Sequence, residues 1–484
     1  MTDFDLVVLG GGTGNLVAAA GADAGLDVAI VERDGLGGTC LNRGCNPSKK
    51  LIHHANVVET VRGADAFGVD ATLHDVAFEE IVEQVTDVIT EEAESKAAEA
   101  RANEHVTFFR TTGRFVDERT VELDAGGAGG GSDGGSGADG DDGGDGPGGR
   151  RITGETVVLA GGSRPLVPDS IDGTDDVAFL TSDEALRLGS LPERLVIVGG
   201  GYIAVELAHF FGQMGSEVVV VGHGDVLVDR EDRDIAERLT EVYADRHDLY
   251  LGHSATALAE ADGEVVVAAE SDEGEALTVR GDEVLLATGR RPNSDAWNVD
   301  AAGIETDETG FVETNEYLET SVDGVWAIGD IAGNYMFKHS GDTEAEYVVE
   351  NAIRGNRRAV EYPGMAHAVF GSPEVGSLGR TESELEEAGR EYDVGEFTYD
   401  ETALGVALES DAGYAKALVG PDAEVLGFHV VGPHASMLVH EVSTAVAAGG
   451  DAERIAETIH VHPALSEVVQ GAFRDVYDVA PSGI

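Results

Sequence analysis

The chain has 484 residues, 42% of them hydrophobic, which is too long for one ordinary core and implies two to four domains. Its 92 acidic residues against 31 Lys and Arg give a formal net charge of -61, which would repel phosphates and excludes nucleic acid as a partner. No basic leader precedes the first strand pattern, and no apolar run approaches the roughly 18 residues that span a bilayer. The sequence therefore predicts a cytoplasmic protein with no membrane partner.

The acidic residues are spread over the whole chain, and only five lysines are present. One interpretation is a negative field that guides a basic partner toward the protein. The other is a carboxylate-rich surface that stays hydrated in molar salt, as in an extreme halophile. Because the acidic residues form no single patch, the sequence favours the halophilic interpretation.

The N-terminal segment has the pattern strand, glycine-rich turn, helix, strand. Gly10, Gly12 and Gly14 lie in the turn, and Glu32 ends the second strand. Such glycines let the backbone approach a diphosphate at a helix N-terminus, and such a glutamate accepts hydrogen bonds from ribose hydroxyls. Asn15 stands at the third position of the pattern, where a glycine is usual, and is expected to loosen helix–strand packing slightly. The segment predicts a dinucleotide site.

The same pattern recurs at residues 194–221, where Gly199 and Gly201 form the turn. No carboxylate ends its second strand, so the 2′-phosphate of NADP would not be repelled there. His223 and Arg230 follow closely and are candidates to contact that phosphate, although a plain surface loop is the alternative. The second copy favours NADP over NAD.

The chain has two cysteines, Cys40 and Cys45. On an ideal helix they would be separated by about 140° of rotation and could not bond, but Gly44 and Pro47 allow a local distortion. A disulfide closing so short a loop would constrain little, which leaves a metal-binding or redox pair.

A zinc site would need two further ligands near the cysteines, and His53 and His54 are the only local candidates. We therefore predict no metal site. Arg43, Lys49 and a helix N-terminus are expected to lower the pKa of a cysteine thiol, which favours a redox pair.

A His-Pro segment near the C-terminus contains His462 and, one turn into the following helix, Glu467. Histidine can protonate a departing thiolate near neutral pH and take the proton back. A glutamate bound to the other ring nitrogen would fix the tautomer. The pair is a candidate acid–base group.

The segments Gly37–Lys49 and Ile459–Glu467 resemble those of the class I pyridine nucleotide–disulfide oxidoreductases, and the resemblance covers essentially the whole chain. It implies an α/β fold with two Rossmann-like βαβ domains, for FAD and NAD(P), and a C-terminal α+β dimerisation domain. It also implies that electrons pass from NAD(P)H through FAD to a Cys40–Cys45 disulfide and on to a substrate disulfide. Cys45 would be the thiol beside the flavin, and Cys40 the thiol that attacks the substrate.

The resemblance implies a homodimer, because His462 and Glu467 would act across the subunit interface. Asp330 matches the aspartate that holds the FAD ribityl chain, Lys49 the lysine near flavin N5, and Glu206 the ion-pair partner of that lysine. Tyr202 resembles the tyrosine that covers the nicotinamide pocket. The other positions assigned to cofactor binding are Thr39, Gly289, Lys338 and His339.

The resemblance also implies domain boundaries. The FAD domain is expected at 1–165 with a flexible Gly/Asp-rich insert at 125–149, the NAD(P) domain at 166–287, a second FAD or central part at 288–350, and the dimerisation domain at 351–484.

The number of cysteines narrows the choice of substrate. Mercuric reductases and large thioredoxin reductases need a further C-terminal cysteine pair, which this chain lacks. Two interpretations remain: an NADPH-dependent reductase of a low-molecular-weight disulfide, and an NAD-linked dihydrolipoamide dehydrogenase. The missing carboxylate and the Gly12–Asn15 turn, which is similar to that of mycothione reductase, favour the first. Together with the halophilic composition they point to bis-γ-glutamylcystine, the substrate of the haloarchaeal reductases of that name. Asn46, in place of an aliphatic residue, and the lack of an arginine for the 2′-phosphate depart from the family pattern.

A third hypothesis, of a different class, is a flavin-binding protein kept for interaction rather than turnover. The intact Cys40, Cys45, His462 and Glu467 argue against it.

Overall fold

A computed structural model of the chain describes residues 2–124 and 149–480. The described parts of Met1–Asn46, Asp87–Arg164 and Arg290–Glu361 form one compact unit, and those of Pro47–Thr86, Pro165–Gly289 and Tyr362–Ile484 form a second. The insert expected at 125–149 lies outside the described residues except for Gly149. Among the described residues, no helix is both long and apolar enough to cross a bilayer.

Strands and helices are numbered here in chain order. The strands are β1 (Thr2–Leu9), β2 (Val28–Val31), β3 (Val106–Phe109), β4 (Gly113–Asp117), β5 (Thr120–Leu123), β6 (Arg150–Leu159), β7 (Ser163–Pro165), β8 (Arg194–Val198), β9 (Glu217–Val221), β10 (Asp248–Tyr250), β11 (His253–Ala261), β12 (Glu264–Ser271), β13 (Ala276–Gly281), β14 (Glu283–Leu286), β15 (Arg290–Pro292), β16 (Val325–Ala327), β17 (Ala366–Val369), β18 (Glu374–Gly379), β19 (Asp393–Thr398), β20 (Tyr414–Val419) and β21 (Val425–Gly432). The helices are α1 (Gly14–Asp23), α2 (Gly38–Arg43), α3 (Cys45–Arg62), α4 (Phe78–Ala102), α5 (Ser182–Ala185), α6 (Tyr202–Met214), α7 (Arg233–Ala244), α8 (Ser294–Trp297), α9 (Lys338–Val348), α10 (Glu382–Glu387), α11 (Ala403–Ala407), α12 (Ala435–Ala447), α13 (Ala452–Glu457) and α14 (Ser466–Asp475).

The first unit is built on a sheet of order β3-β2-β1-β6-β5-β4, with β16 also paired to β6. β1 runs parallel to β2 and β6, and β16 runs parallel to β6, so these four strands end at the same edge. Leu6 and Val8 of β1 pack in one buried cluster while Val7 and Leu9 pack in another. A strand covered on both faces is continuously apolar, which is typical of a parallel sheet between helices.

β5 and β6 flank the insert and pair antiparallel, with Thr120 opposite Thr153 and Leu123 opposite Arg150. The two strands on either side of the insert are therefore neighbours in the sheet.

The second unit contains three sheets. A parallel sheet of order β10-β9-β8-β14 carries the second glycine turn. An antiparallel sheet of order β11-β12-β13 is formed by the chain between β10 and β14. The five-stranded sheet β17-β18-β21-β20-β19 is covered by α12 and α14, and Phe397, Phe428 and Phe473 lie in its core. The predicted fold class, two Rossmann-like βαβ domains and a C-terminal α+β dimerisation domain, is confirmed. The bounds of the four predicted domain ranges stay predictions.

Two strands of the five-stranded sheet, β18 and β19, escaped sequence reasoning because each contains a glycine where a helix packs on the strand backbone. A Cβ atom added at Gly376 would lie 2.5 Å from the carbonyl oxygen of Ala435, and one at Gly395 would lie 2.1 Å from that of Ala472. These glycines interrupt the apolar pattern that marks a strand.

A buried lysine joins two parts of the second unit. Lys416, in β20, has a side chain that is 1% exposed, and its Nζ lies 3.1 Å from Asp232, 2.5 Å from Asp234 and 2.5 Å from Glu382. Asp232 and Asp234 begin α7, and Glu382 begins α10. Three carboxylates therefore compensate one buried ammonium group.

Candidate active site

The two cysteines lie on either side of a helix break. α2 ends at Arg43, Gly44 has φ -141° and ψ -117°, and Cys45 is the first residue of α3. A Cβ atom at Gly44 would lie 3.0 Å from the carbonyl oxygen of Thr39, so a side chain fits poorly at the break. Pro47 lies in the first turn of α3, where its missing N–H has no helical partner to lose. The distortion expected from Gly44 and Pro47 is present.

The surroundings of the two thiols differ. Cys40 is half-buried, its Sγ is 3.9 Å from Oδ1 of Asn46, and Cys45 is exposed. A hydrogen bond with Cys45 and burial raise the pKa of Cys40 well above its ordinary value, against the opposing charge of Lys338. Cys45 stands at a helix N-terminus, which favours negative charge. The raised pKa favours the protonated form of Cys40, whereas the helix N-terminus favours a thiolate at Cys45.

The expectation that Arg43 and Lys49 would lower the pKa of a cysteine is wrong at Cys40. Arg43 Nη2 lies 2.5 Å from Oδ2 of Asp34, so its charge is neutralised locally. The cation that acts on Cys40 is Lys338, at the start of α9, and it is itself paired with Asp342.

The first glycine turn leaves the N-terminus of α1 accessible to a phosphate group. Gly10 has φ +105°, and a Cβ atom there would lie 2.1 Å from the carbonyl oxygen of Ala160. At Gly14 a Cβ would meet Val8 Cγ1 at 2.6 Å, so Gly14 provides the close helix–strand contact. Gly14 therefore makes the close helix–strand contact that the pattern assigns to a glycine at position 15, and the loosening expected from Asn15 stays a prediction. Gly12 lies between them with its backbone partly exposed.

Glu32, directly after β2, holds this turn through both carboxylate oxygens. Oε2 accepts from the Gly11 N–H at 2.8 Å, and Oε1 accepts from the Asp34 N–H at 2.9 Å. The carboxylate is partly exposed at the sheet edge where β1 also ends. Its expected role toward a ribose stays a prediction, but its position fits that role.

Asp330 follows β16 at the same edge and belongs to a network that sequence reasoning missed. Its Oδ2 accepts from Ser163 Oγ at 2.5 Å, and Ser163 Oγ accepts from Arg290 Nε at 2.8 Å. The preceding Gly329 N–H donates to Glu344 Oε2 at 2.6 Å, and Glu344 is fully buried. Nothing in the local sequence marks Ser163 or Glu344, because their partners are distant along the chain.

Three further residues assigned to cofactor binding lie in the same unit. Thr39 is the second residue of α2 and half-buried, Lys338 pairs with Asp342, and the His339 ring stacks on Phe337 at 5.6 Å. Together with the glycine turn, Glu32 and Asp330, these residues fit a diphosphate, a ribose and a polyol chain, the parts of FAD.

The second glycine turn repeats the geometry of the first. Gly199 has φ +124°, and a Cβ atom there would lie 2.3 Å from the carbonyl oxygen of Ala287. Gly201 immediately precedes α6, whose first residue is Tyr202. Gly289 accepts a hydrogen bond from the Leu166 N–H at 2.9 Å. The turn therefore fits a second dinucleotide.

The basic residues that follow β9 differ in their ion-pair partners. His223 and Arg230 are exposed, as a contact to a 2′-phosphate would require. Arg233 is engaged by Asp225 at 2.8 Å and Glu237 at 2.5 Å. His223 and Arg230 remain the candidates for that contact.

Lys49 and Glu206 form the expected ion pair within the second unit. Lys49 Nζ lies 2.8 Å from Oε1 and 2.7 Å from Oε2 of the buried Glu206. Glu206 also accepts from the Phe370 N–H at 3.1 Å, and the ammonium lies 4.8 Å from the centre of the Phe370 ring. The pair is therefore held in place by two further contacts, both with Phe370.

His462 and Glu467 form the other expected pair. His462 Nδ1 lies 2.9 Å from Oε1 of Glu467, whose Oε2 accepts from the Ala464 N–H at 3.0 Å. The Glu467 side chain is 9% exposed and that of His462 is 51% exposed. Since Nδ1 is engaged, Nε2 is the nitrogen available to exchange a proton with an external group.

Two dinucleotide turns and an asymmetric dithiol define an oxidoreductase class, and comparison with known proteins agrees. The family model described as pyridine nucleotide-disulphide oxidoreductase matches residues 4–352, and the model of its dimerisation domain matches residues 365–473. Dihydrolipoyl dehydrogenase 3 of Haloarcula marismortui is 33% identical over 99% of this chain and 98% of that protein. Mycothione reductase of Mycobacterium tuberculosis is 33% identical over 98% of this chain and 99% of its own.

Among solved structures, the HOCl-induced flavoprotein disulfide reductase RclA of Escherichia coli is similar in fold. Its TM-score is 0.81 at 24% identity, covering 97% of this chain and 99% of that chain. The chain belongs to the pyridine nucleotide–disulphide oxidoreductase family, whose members use FAD and a pyridine nucleotide to act on a disulfide. The dimerisation-domain match supports a homodimer, and the haloarchaeal origin of relatives such as the Haloarcula marismortui protein agrees with the halophilic interpretation of the acidic composition.

Proposed function

We propose that this enzyme uses NADPH to reduce a low-molecular-weight disulfide, bis-γ-glutamylcystine, in the cytoplasm of a halophilic cell. The observation that carries the proposal is the asymmetry of the dithiol. Cys40 is half-buried, with a thiol pKa that burial and its hydrogen bond with Cys45 raise, whereas Cys45 starts a helix whose N-terminus favours a thiolate. A pair that cycles between thiol and disulfide suits the reducing cytoplasm.

Bound FAD supplies the two-electron link between the nicotinamide and the Cys40–Cys45 disulfide. The glycine turn at Gly10 would receive its diphosphate, Glu32 its ribose and Asp330 its ribityl chain. Lys49, held by Glu206, is assigned to the flavin.

In the reaction we propose, Cys40 loses its proton to His462 of the partner subunit and attacks one sulfur of the substrate. A Cys40–substrate mixed disulfide forms, and the departing thiolate takes the proton back from the partner's His462. The Cys45 thiolate then attacks the Cys40 sulfur, which restores the Cys40–Cys45 disulfide and releases the second product thiolate. Glu467 holds the imidazole so that Nε2 faces the reaction.

Tyr202 is the proposed cover of the nicotinamide pocket, at the N-terminus of α6. His223 and Arg230, both exposed beyond β9, are the proposed contacts to the 2′-phosphate of NADPH. The missing carboxylate at the end of β9 supports this cofactor choice.

At molar KCl, we expect kcat/KM for NADPH to exceed that for NADH by about tenfold, the value of one interaction of about 1.4 kcal/mol. His223→Glu should reduce or reverse this ratio, because a carboxylate at an exposed position beyond β9 would repel the 2′-phosphate. An unchanged thermal unfolding midpoint would show that the variant is folded. A clear NADH preference in the unaltered enzyme would contradict the cofactor proposal.

A second candidate, NAD-linked dihydrolipoamide dehydrogenase, is supported by the dihydrolipoyl dehydrogenases among the relatives, including one that is 36% identical. In a panel of bis-γ-glutamylcystine, lipoamide and glutathione disulfide with the FAD-loaded dimer at high salt, we expect the first to give the highest kcat/KM. Faster turnover of lipoamide with NADH would instead establish the second candidate.

A further inference from the structure

A buried carboxylate gathers three side chains next to the second glycine turn. Glu231, just before α7, has a side chain that is 1% exposed. Its Oε1 accepts from the Tyr202 hydroxyl and lies 2.8 Å from His367 Nε2, while its Oε2 accepts from the Ser377 hydroxyl. Tyr202 begins α6, whereas His367 and Ser377 belong to β17 and β18. The network therefore joins the nucleotide turn to the C-terminal sheet.

These contacts keep the carboxylate ionised. Burial alone raises the pKa of Glu231, but the hydrogen bonds and charge of His367, with Ser377 and Tyr202, bring it to about 2. Burial and the neighbouring Glu231 charge raise the pKa of Tyr202 above its ordinary value, so its hydroxyl keeps the proton it donates. A hydrogen bond to an ionised group is stronger than one between neutral groups.

The Tyr202 ring is held as well as its hydroxyl. It stacks on the His367 ring with centroids 5.8 Å apart and an interplanar angle of 19°. A Tyr202 side chain that moves must break the bond to Glu231 and leave this stacked contact.

We propose that Glu231, positioned by His367, is a latch that holds Tyr202 in place and sets how readily the nicotinamide nucleotide enters. The inference rests on the proposed function, in which Tyr202 covers the nicotinamide pocket. A cover must yield when the nicotinamide enters, so the free energy of the latch opposes nucleotide binding. Glu231 is a positioning residue, since it acts through Tyr202.

Tyr202→Phe removes the hydroxyl bond and keeps the ring, so it tests the latch with the smallest change in packing. We expect the FAD-loaded dimer of this variant to bind NADP⁺ about tenfold more tightly than the unaltered enzyme, the scale of one charge-assisted hydrogen bond. Titration calorimetry at high KCl measures this affinity without turnover. Ser377→Ala, the matched control, removes only the donor to the other oxygen and should shift the affinity less than about twofold.

Glu231→Gln tests whether the carboxylate acts through the tyrosine. It should tighten NADP⁺ binding in the unaltered enzyme and leave it unchanged in the Tyr202→Phe background, because the latch is already open there. Equal effects of Glu231→Gln in both backgrounds, or unchanged or weaker binding by Tyr202→Phe, would overturn the latch. An unaltered enzyme that binds neither NADP⁺ nor NAD⁺ would instead overturn the proposed function.

Discussion

Cys40→Ser is expected to abolish disulfide reduction while the reduced, FAD-loaded enzyme keeps a long-wavelength thiolate-to-flavin absorption band. Without Cys40 no thiol can attack the substrate, but Cys45 remains at the N-terminus of α3, where a thiolate is favoured. The measurement combines steady-state assays with absorbance spectra recorded during anaerobic reduction. The serine has nearly the size of cysteine, so the helix break should persist.

Cys45→Ser is the matched variant for this prediction. It should lose the band as well as turnover, because Cys40 is assigned to the substrate rather than to the flavin, and burial still raises the pKa of its thiol. A band that disappears with Cys40 and survives the loss of Cys45 would reverse the roles we propose for the two thiols.

His462→Gln is expected to lower turnover by about 10²–10⁴-fold, the usual contribution of a positioned acid–base group. Glutamine can keep a hydrogen bond to Glu467 but cannot shuttle a proton. Reduction of the flavin by NADPH, followed by stopped flow, should proceed at the unaltered rate because it precedes the proton transfer. Slowed disulfide reduction with normal flavin reduction would therefore place the defect in a step after flavin reduction.

Glu467→Gln is the control for orientation. The single carbonyl oxygen of glutamine can accept from the His462 ring or from the Ala464 N–H but not from both. Orientation is therefore weakened while the imidazole remains, so we expect a smaller loss than for His462→Gln. Near-normal turnover by His462→Gln would remove the histidine from the mechanism.

Features that depend on neighbours along the chain were predictable from the sequence. Both glycine turns are present, each leads into a helix as the pattern predicts, and the helix breaks at Gly44. In each case a glycine, a proline or an apolar period acts within a few residues. The pairs Lys49–Glu206 and His462–Glu467 followed from the family resemblance, because neither pattern alone identifies its partner.

Features that depend on distant packing were not predictable. Ser163 and Glu344 were missed because they act on residues 167 and 15 positions away. Glu231 is one of 92 acidic residues, and nothing in the sequence shows that it is buried in the fold. The cations near the cysteines were misjudged for the same reason, since Asp34 neutralises Arg43 and Lys338 comes from a remote helix.

The burial of Lys416 has a consequence for work in concentrated brine. At about 1 M salt, electrostatic screening acts within about 3 Å, so ion pairs on the exterior contribute little to holding the molecule together. Lys416 and Asp232 are shielded from dissolved ions, with side chains 1% and 0% exposed. Asp232 adjoins Glu231, so the backbone that carries the latch stays anchored to β20 whatever the ionic strength.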